Sequence, residues 1–341
     1  MKRTKKEKLS KSNVMKRVEI LILSIFFLLI IASGLVLIVF DKYFKNDKTP
    51  AKQYSHRYVM VTPDTSDSFV QEVYDYAQKK ANEDDAYVEL ICDQLKDTYS
   101  IEDKLKIAIA TNPEGILLMS EATDSSKELI NEAVKNGIPV VSIMSACTNA
   151  KYCSFVGPNY YDYGRTYGRI LKPMKKNKSS NVAVVMSGQM SQTDKNNIYA
   201  GLREEIKSCE NAFNVKVEFI DSRESFEVEE KIRTLILDDK NPIDIIICID
   251  ENATKIAYQS VIDYNKVGKV NIIGSFANDN ILRGVSRNII DSTVVIDTKQ
   301  MGEYAVSALR EYIDSGFVSN YVSVDITVIN KDNIGEYYTE E

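Results

Sequence analysis

Histidine is almost missing from this chain and tryptophan is missing altogether. His56 stands alone among 341 residues. One histidine has no second with which to build an imidazole relay or a paired-histidine metal site. Its place just before the first predicted strand reads as a solvated linker residue. The five cysteines, Cys92, Cys147, Cys153, Cys209 and Cys248, include no CxxC pair, so a zinc ribbon or dithiol redox motif is unsupported. GxSxG, HExxH, P-loop and GxGxxG motifs are also missing. The sequence therefore predicts no enzyme, no cofactor and no metal. Acidic pairs such as Asp84–Asp85 and Glu229–Glu230 read as solvated faces.

Net positive charge is confined to the start of the chain. Eight basic residues against Glu7 leave residues 1–17 at +7, so the remainder carries −13 of the net −6. An acidic body argues against nucleic acid as a partner, because phosphate binding needs cations. The run Ile20–Phe40 contains no charge at all and has about the 20 residues that cross a bilayer as a helix. A helix packed in a soluble core would show a polar face, and this one shows none. The basic cluster before it and Asp41 after it place the N-terminus in the cytoplasm and the rest outside. A cleaved signal peptide near Ala32–Ser33–Gly34 is the rival reading. The apolar run is longer than the usual signal-peptide core, which favours an uncleaved anchor. The expected organisation is a cytoplasmic tail over 1–17, a transmembrane helix over 18–40, a polar linker over 41–56 and an extracytoplasmic domain over 57–341.

From Tyr58 onward, short β-rich runs alternate with segments of helical period. Strands are expected at 58–62, 87–92, 115–120, 138–144, 181–187, 215–221, 243–250, 270–276, 292–297 and 321–329. Helices fill most of the intervals, one of them over 125–136 with Gly137 as its left-handed stop. Apolar strands alternating with helices imply parallel sheets covered on both faces. Two such series imply two lobes: one of about 57–157 plus part of 292–329, the other of about 158–291. Ligands of such sheets bind beyond the carboxyl ends of the strands, so two facing lobes form a cleft. Cys92 and Cys248 sit in apolar strands and read as small buried hydrophobes. Cys147 and Cys153 flank a short polar segment, and two readings stand for them, a disulfide or two thiols.

The segments VTPDTSDSF (Val61–Phe69), EGILLMS, NGIPVVSI, SFVGPNYYDYGR (Ser154–Arg165), IDENA (Ile249–Ala253), VNIIGSF and STVVIDTKQMGEYAV follow one another in an order that resembles the type 1 periplasmic binding proteins. The resemblance is to the branch of ribose-type sugar receptors. It implies an α/β fold of two parallel three-layer αβα sandwiches, joined by hinge strands and closing on a ligand. It also implies ligand-holding positions, which fall here at Asp67 and Phe69 after the first strand and at Ser145 after the fourth. In the second lobe they fall at Asn196, Arg223, Asp250 and Phe276, and near the last helix at Asp297. Each has a plainer reading: caps for Asp67 and Asp250, packing for the two phenylalanines, surface for Asn196 and Arg223. Tyr160, Tyr161, Tyr163 and Tyr167 read as interlobe packing. Met144, Ile249, Phe276 and Ile296 occupy places where sugar receptors carry polar grips, so the cleft is expected to be more apolar than theirs.

The function expected is a membrane-anchored small-solute receptor, sugar-like in its ligand, serving an ABC permease or a membrane histidine kinase. A sensory or interaction module with a degenerate cleft is the alternative. A LacI-type regulator shares the fold but requires an N-terminal DNA-binding helix pair, where this chain has its apolar run.

Overall fold

The computed structural model describes residues 28, 33–34, 54–65, 67–91, 99–119, 124–147, 149–176, 178–220 and 225–339. The chain divides into two compact units, Met1–Gln53 and Tyr54–Glu341. Of the first unit only Leu28, Ser33 and Gly34 are described, all helical. The expected membrane span and most of the linker therefore lie outside the described residues. Among those described, no helix is long and apolar enough to cross a membrane.

The second unit is built on two six-stranded sheets. Its chain starts with β1 (His56–Val61), α1 (Ser68–Glu83), β2 (Ala86–Leu90), α2 (Ile101–Ala110), β3 (Gly115–Met119), α3 (Asp124–Lys135), β4 (Val140–Ile143) and β5 (Ser154–Gly157). It continues with α4 (Tyr160–Leu171), β6 (Ser180–Ser187), α5 (Gln192–Ile206), β7 (Phe213–Ile220), α6 (Ser225–Leu237), β8 (Ile245–Cys248), α7 (Glu251–Asp263), β9 (Asn271–Ser275), α8 (Asp279–Ser286) and β10 (Ile290–Ile296). The last elements are α9 (Thr298–Ser315), β11 (Tyr321–Ser323) and β12 (Ile326–Asn330). The first lobe's sheet has the order β11-β5-β4-β3-β1-β2, and all its pairs are parallel. The second has the order β12-β10-β9-β8-β6-β7. Its edge strand β12 runs antiparallel to β10, so this lobe is not the all-parallel sandwich expected.

The strands form where they do because alternate residues serve opposite faces. In the first lobe Met60, Leu117 and Val141 point to the layer of α1 and α9, while Val59, Ile116 and Val140 meet α2 and α3. In the second lobe Val184 and Ile247 face α4 and α5, while Val185 and Ile246 face α6 and α7. Burial on both faces is why β3 and β8 are apolar throughout (GILLM, IIIC) rather than alternating.

The final segment departs most from expectation. The single strand read at 321–329 is two strands in two different sheets. β11 closes the first sheet beside β5, and β12 closes the second beside β10. Three crossings thus join the lobes, between β5 and α4, between β10 and α9, and between β11 and β12. They are tied to one another: the Val324 amide donates to the Gly157 carbonyl at 3.2 Å, and the Asp297 amide donates to the Asp325 carbonyl at 3.0 Å. The segment 292–329 is divided accordingly. β10 and β12 belong to the second lobe, α9 and β11 to the first.

His56 is not a linker residue. It opens β1, and its Nδ1 lies 2.7 Å from the Glu114 carboxylate. Cys147 and Cys153 are not joined in a disulfide. Burial pushes the Cys153 thiol up to about 12, which leaves it protonated and inert. Cys92 lies outside the described residues.

Candidate functional site

The carboxyl ends of β1, β3 and β4 in one lobe open toward those of β6, β8 and β9 in the other. Between them lies a cavity of about 280 Å³ lined by Pro63, Asp64, Asp67, Phe69, Val70, Met119, Met144, Ser145, Tyr160, Ser187, Met190, Asp194, Asp250, Glu251 and Phe276. A second space of about 310 Å³ adjoins it, and Phe69, Glu251 and Phe276 line both. Phe69 heads α1 and Phe276 follows β9. Their rings meet across the lobes edge to face, with centroids 5.0 Å apart and planes at 89°. Such a pair is worth roughly 0.5–1.5 kcal/mol beyond its buried area, so it favours the approach of the lobes.

Two wall residues hold an unusual backbone. Met144 directly follows β4 and has φ 65°, and Phe276 directly follows β9 and has φ 70°. A side chain in the left-handed region costs about 1–2 kcal/mol, and the surroundings must hold it there. The Met144 amide donates to the Val156 carbonyl at 3.0 Å and the Phe276 amide to the Val294 carbonyl at 3.1 Å. The Phe276 carbonyl accepts from the Thr293 hydroxyl at 2.6 Å. The Met144 carbonyl instead accepts from the Tyr160 hydroxyl at 2.5 Å, a bond from the other lobe. Burial holds the Tyr160 hydroxyl far above its usual pKa, so it stays a donor.

The electrostatics of the wall are acidic. Asp67 accepts from the amides of Phe69 and Val70, Asp194 accepts from the Ser191 hydroxyl at 2.7 Å, and Asp250 accepts from the Ala253 amide at 2.9 Å. Desolvation raises the pKa of all three above the ordinary carboxylate value, and the neighbouring charge of Glu251 adds to the rise at Asp67 and Asp250. Glu251 accepts from Asn278 at 2.6 Å and pairs with Lys255 at 3.3 Å. Among the described residues no group of three or more His, Cys, Asp or Glu side chains is placed to hold a metal ion.

The residues singled out in the sequence fall into three groups. Asp67, Phe69, Ser145, Asp250 and Phe276 line the cavity together. Asp67 and Asp250 also cap α1 and α7, so the two readings of each coincide in one side chain. Asn196 stands apart on the exposed face of α5, bonded to Gln192. The residue of that helix that reaches the cavity is Asp194, two positions earlier. Asp297 caps α9 at a lobe crossing and is not among the residues lining the cavity. Arg223 lies outside the described residues. Of the tyrosines, Tyr163 and Tyr167 are buried within the second lobe, and Tyr167 bonds Ser275 at 2.6 Å. Tyr160 alone among them lines the cavity. Asp194 was legible as the last residue of a Ser-x-x-Asp start, Ser191 to Asp194, which aims it across the first turn. Met190 and Tyr160 carried no such signal.

Residues 58–316 match the family model described as periplasmic binding protein domain. No match was found among curated proteins. Many solved structures match. One titled "XylFII molecule" is 25% identical, covers 81% of this chain and 98% of its own, and superposes with a TM-score of 0.68. A "XylFII-LytSN complex" is 24% identical over 81% of this chain and 98% of its own, with a TM-score of 0.68. A sugar ABC transporter sugar-binding protein from Bacillus halodurans is 22% identical over 83% of this chain and 100% of its own, with a TM-score of 0.70. At their level of identity the last two speak for the fold alone.

Proposed function

The chain belongs to the periplasmic binding protein domain family, and from that premise we propose that it is an extracytoplasmic receptor for a small solute. It is held at the membrane by its N-terminal apolar run and shuts its two lobes over the ligand. The observation that carries this reading is the interlobe cavity, whose wall is drawn from the carboxyl ends of strands in both lobes. A ligand there touches both halves at once, so its binding energy is fully realised only when the lobes approach. The tied crossings supply the hinge. The closed cleft then presents a surface that an ABC permease or a membrane histidine kinase reads. The two partner classes are carried over as part of this proposal from relatives in fold, a sugar ABC transporter sugar-binding protein and a complex with LytSN. The receptor carries out no chemistry on its ligand.

The test is a thermal-shift screen of the compact unit Tyr54–Glu341 against sugars, nucleosides, amino acids and polyols. A ligand at a hundred times its Kd adds about 2.7 kcal/mol to stability and raises the melting temperature. Absence of a shift with every solute would overturn the receptor reading in favour of a partner-binding module.

A further inference from the structure

Of the five carboxylates that line the cavity, Asp67, Asp194 and Asp250 make no ion pair among the described residues. Asp67 comes from the first lobe, Asp194 and Asp250 from the second. Among the described residues no lysine, arginine or histidine lies within ion-pair distance of any of the three and none lines the cavity, although the more distant Lys255 offsets part of the pKa rise at Asp250. Their partners are backbone amides of their own helices and the Ser191 hydroxyl. A second observation is independent of charge. The Ser145 hydroxyl, at the end of β4, is buried against the same cavity and has no hydrogen-bond partner. Much of the remaining wall is apolar, with Met119, Met144 and Met190 beside the phenylalanine pair.

Each ligand class can be weighed against that wall. An anion meets like charge from both lobes. A neutral polyol can donate to the carboxylates, but it leaves their charges buried and uncompensated as the lobes close, a cost that grows as water leaves. An ammonium group answers every feature. Its N–H groups donate to the carboxylates and to the Ser145 oxygen, and it supplies the missing charge. Its hydrocarbon body packs on the methionines and phenylalanines, whose rings also attract a cation. We propose that this cleft selects a small organic cation, a protonated amine on an apolar body, over neutral sugars. The proposal rests on the solute-receptor reading above and names the ligand class of that same site.

The experiment uses the full-length chain in detergent and pairs of probes that differ mainly in charge: D-glucosamine with N-acetyl-D-glucosamine, benzylamine with benzyl alcohol, and putrescine with 1,4-butanediol. D-Xylose and D-glucose are run beside them. The expected result is that an amine raises the melting temperature and its neutral partner does not. Asp250→Asn and Asp67→Asn should then each weaken that amine by about thirtyfold, as loss of a buried charge partner does. Asparagine caps a helix as well as aspartate, so both variants keep the fold. If neutral sugars bind and the amines do not, or if both variants keep full affinity for the amine, the charge selectivity is overturned while the receptor reading stands. If no probe of either kind binds, and the wider solute screen is also blank, both readings fall together.

Discussion

The two lobes solve the same three problems with different residues, and in each case the solutions differ in what they lean on. The first problem is helix packing at the sheet. In the second lobe α4 and α5 lie so close that a Cβ at Gly164 would collide with the Ile198 carbonyl, and one at Gly201 with the Tyr161 carbonyl. In the first lobe α9 and α1 approach closely at one glycine, Gly302, set against the backbone of Val73 and Ala77. The second problem is the loop after the first strand of each lobe. In the first lobe the buried Lys104, reaching from α2, donates to the carbonyls of Thr62 at 3.2 Å and Pro63 at 2.7 Å. In the second, the half-buried Lys195 on the adjacent helix donates to the carbonyl of the exposed Gly188 at 2.7 Å. The third is the left-handed residue at the cleft. Phe276 is held from within its own lobe, whereas Met144 is held by Tyr160 from across the gap. The first lobe's half of the site is therefore completed by its partner lobe, and the second lobe's half is self-contained.

The glycine contacts offer the largest way to break this comparison. Gly201→Val should cost about 3 kcal/mol or more in urea unfolding of the Tyr54–Glu341 unit, because helix backbones must part. Gly302→Ala should cost about 1–3 kcal/mol, since only one helix of that pair is indented. Equal costs would mean that the two helix pairs are packed alike. Next in size is Lys104→Met, which removes the donor to the carbonyl of the buried Thr62 and should cost about 1–3 kcal/mol. Lys195→Met, whose carbonyl partner is open to water, should stay within about 0.5 kcal/mol. Tyr160→Phe and Thr293→Val should each cost about 0.5–1.5 kcal/mol. Small-angle scattering separates them: only Tyr160→Phe should enlarge the radius of gyration, because only it removes a bond between lobes. An enlarged radius with Thr293→Val would remove the distinction.

The smallest effect concerns the cleft acids. The folded-state pKa values of Asp194 and Asp250 are raised by desolvation. A raised carboxyl adds stability below its unfolded pKa of about 3.9 and loses that contribution as pH rises through the folded value. Asp194→Asn and Asp250→Asn should therefore melt higher than the parent at pH 7, and the advantage should vanish as pH is lowered below the carboxylate range. Melting curves in a pH series read this directly. A gain that persisted at low pH would show that the burial cost of charge is not its source.

Much of the architecture was legible in composition and period. The helix expected at 125–136 occupies Asp124–Lys135, because it carries a clear apolar stripe and ends at a glycine with φ 82°. The strand expected at 321–329 shows where local pattern runs out. Tyr321 to Ile329 reads as one β-rich run, yet the chain changes sheets at Val324–Asp325 because the Gly157 carbonyl takes the Val324 amide and the Asp297 amide takes the Asp325 carbonyl. Both of those partners lie far off in sequence. The site divides in the same way. Asp67, Phe69, Ser145, Asp250 and Phe276 were placed by the resemblance to the sugar receptors, whose ligand-holding positions follow the strand ends. Asp194 was displaced by two residues from the position expected, because the turn of α5, and not its order in the chain, decides which side chain faces inward.

The order of its residues alone determined that this chain forms alternating strands and helices with both sheet faces buried, and that its body is acidic with an uncharged run ahead of it. Periodicity and charge are local properties, and they need no knowledge of the partner strand. Only the tertiary structure decided which lobe owns the final strands, that Tyr160 reaches Met144, and that five carboxylates from two lobes share one cavity. Those are meetings between residues tens or hundreds of positions apart, and they are fixed by packing and by the balance of backbone hydrogen bonds rather than by any nearby sequence signal.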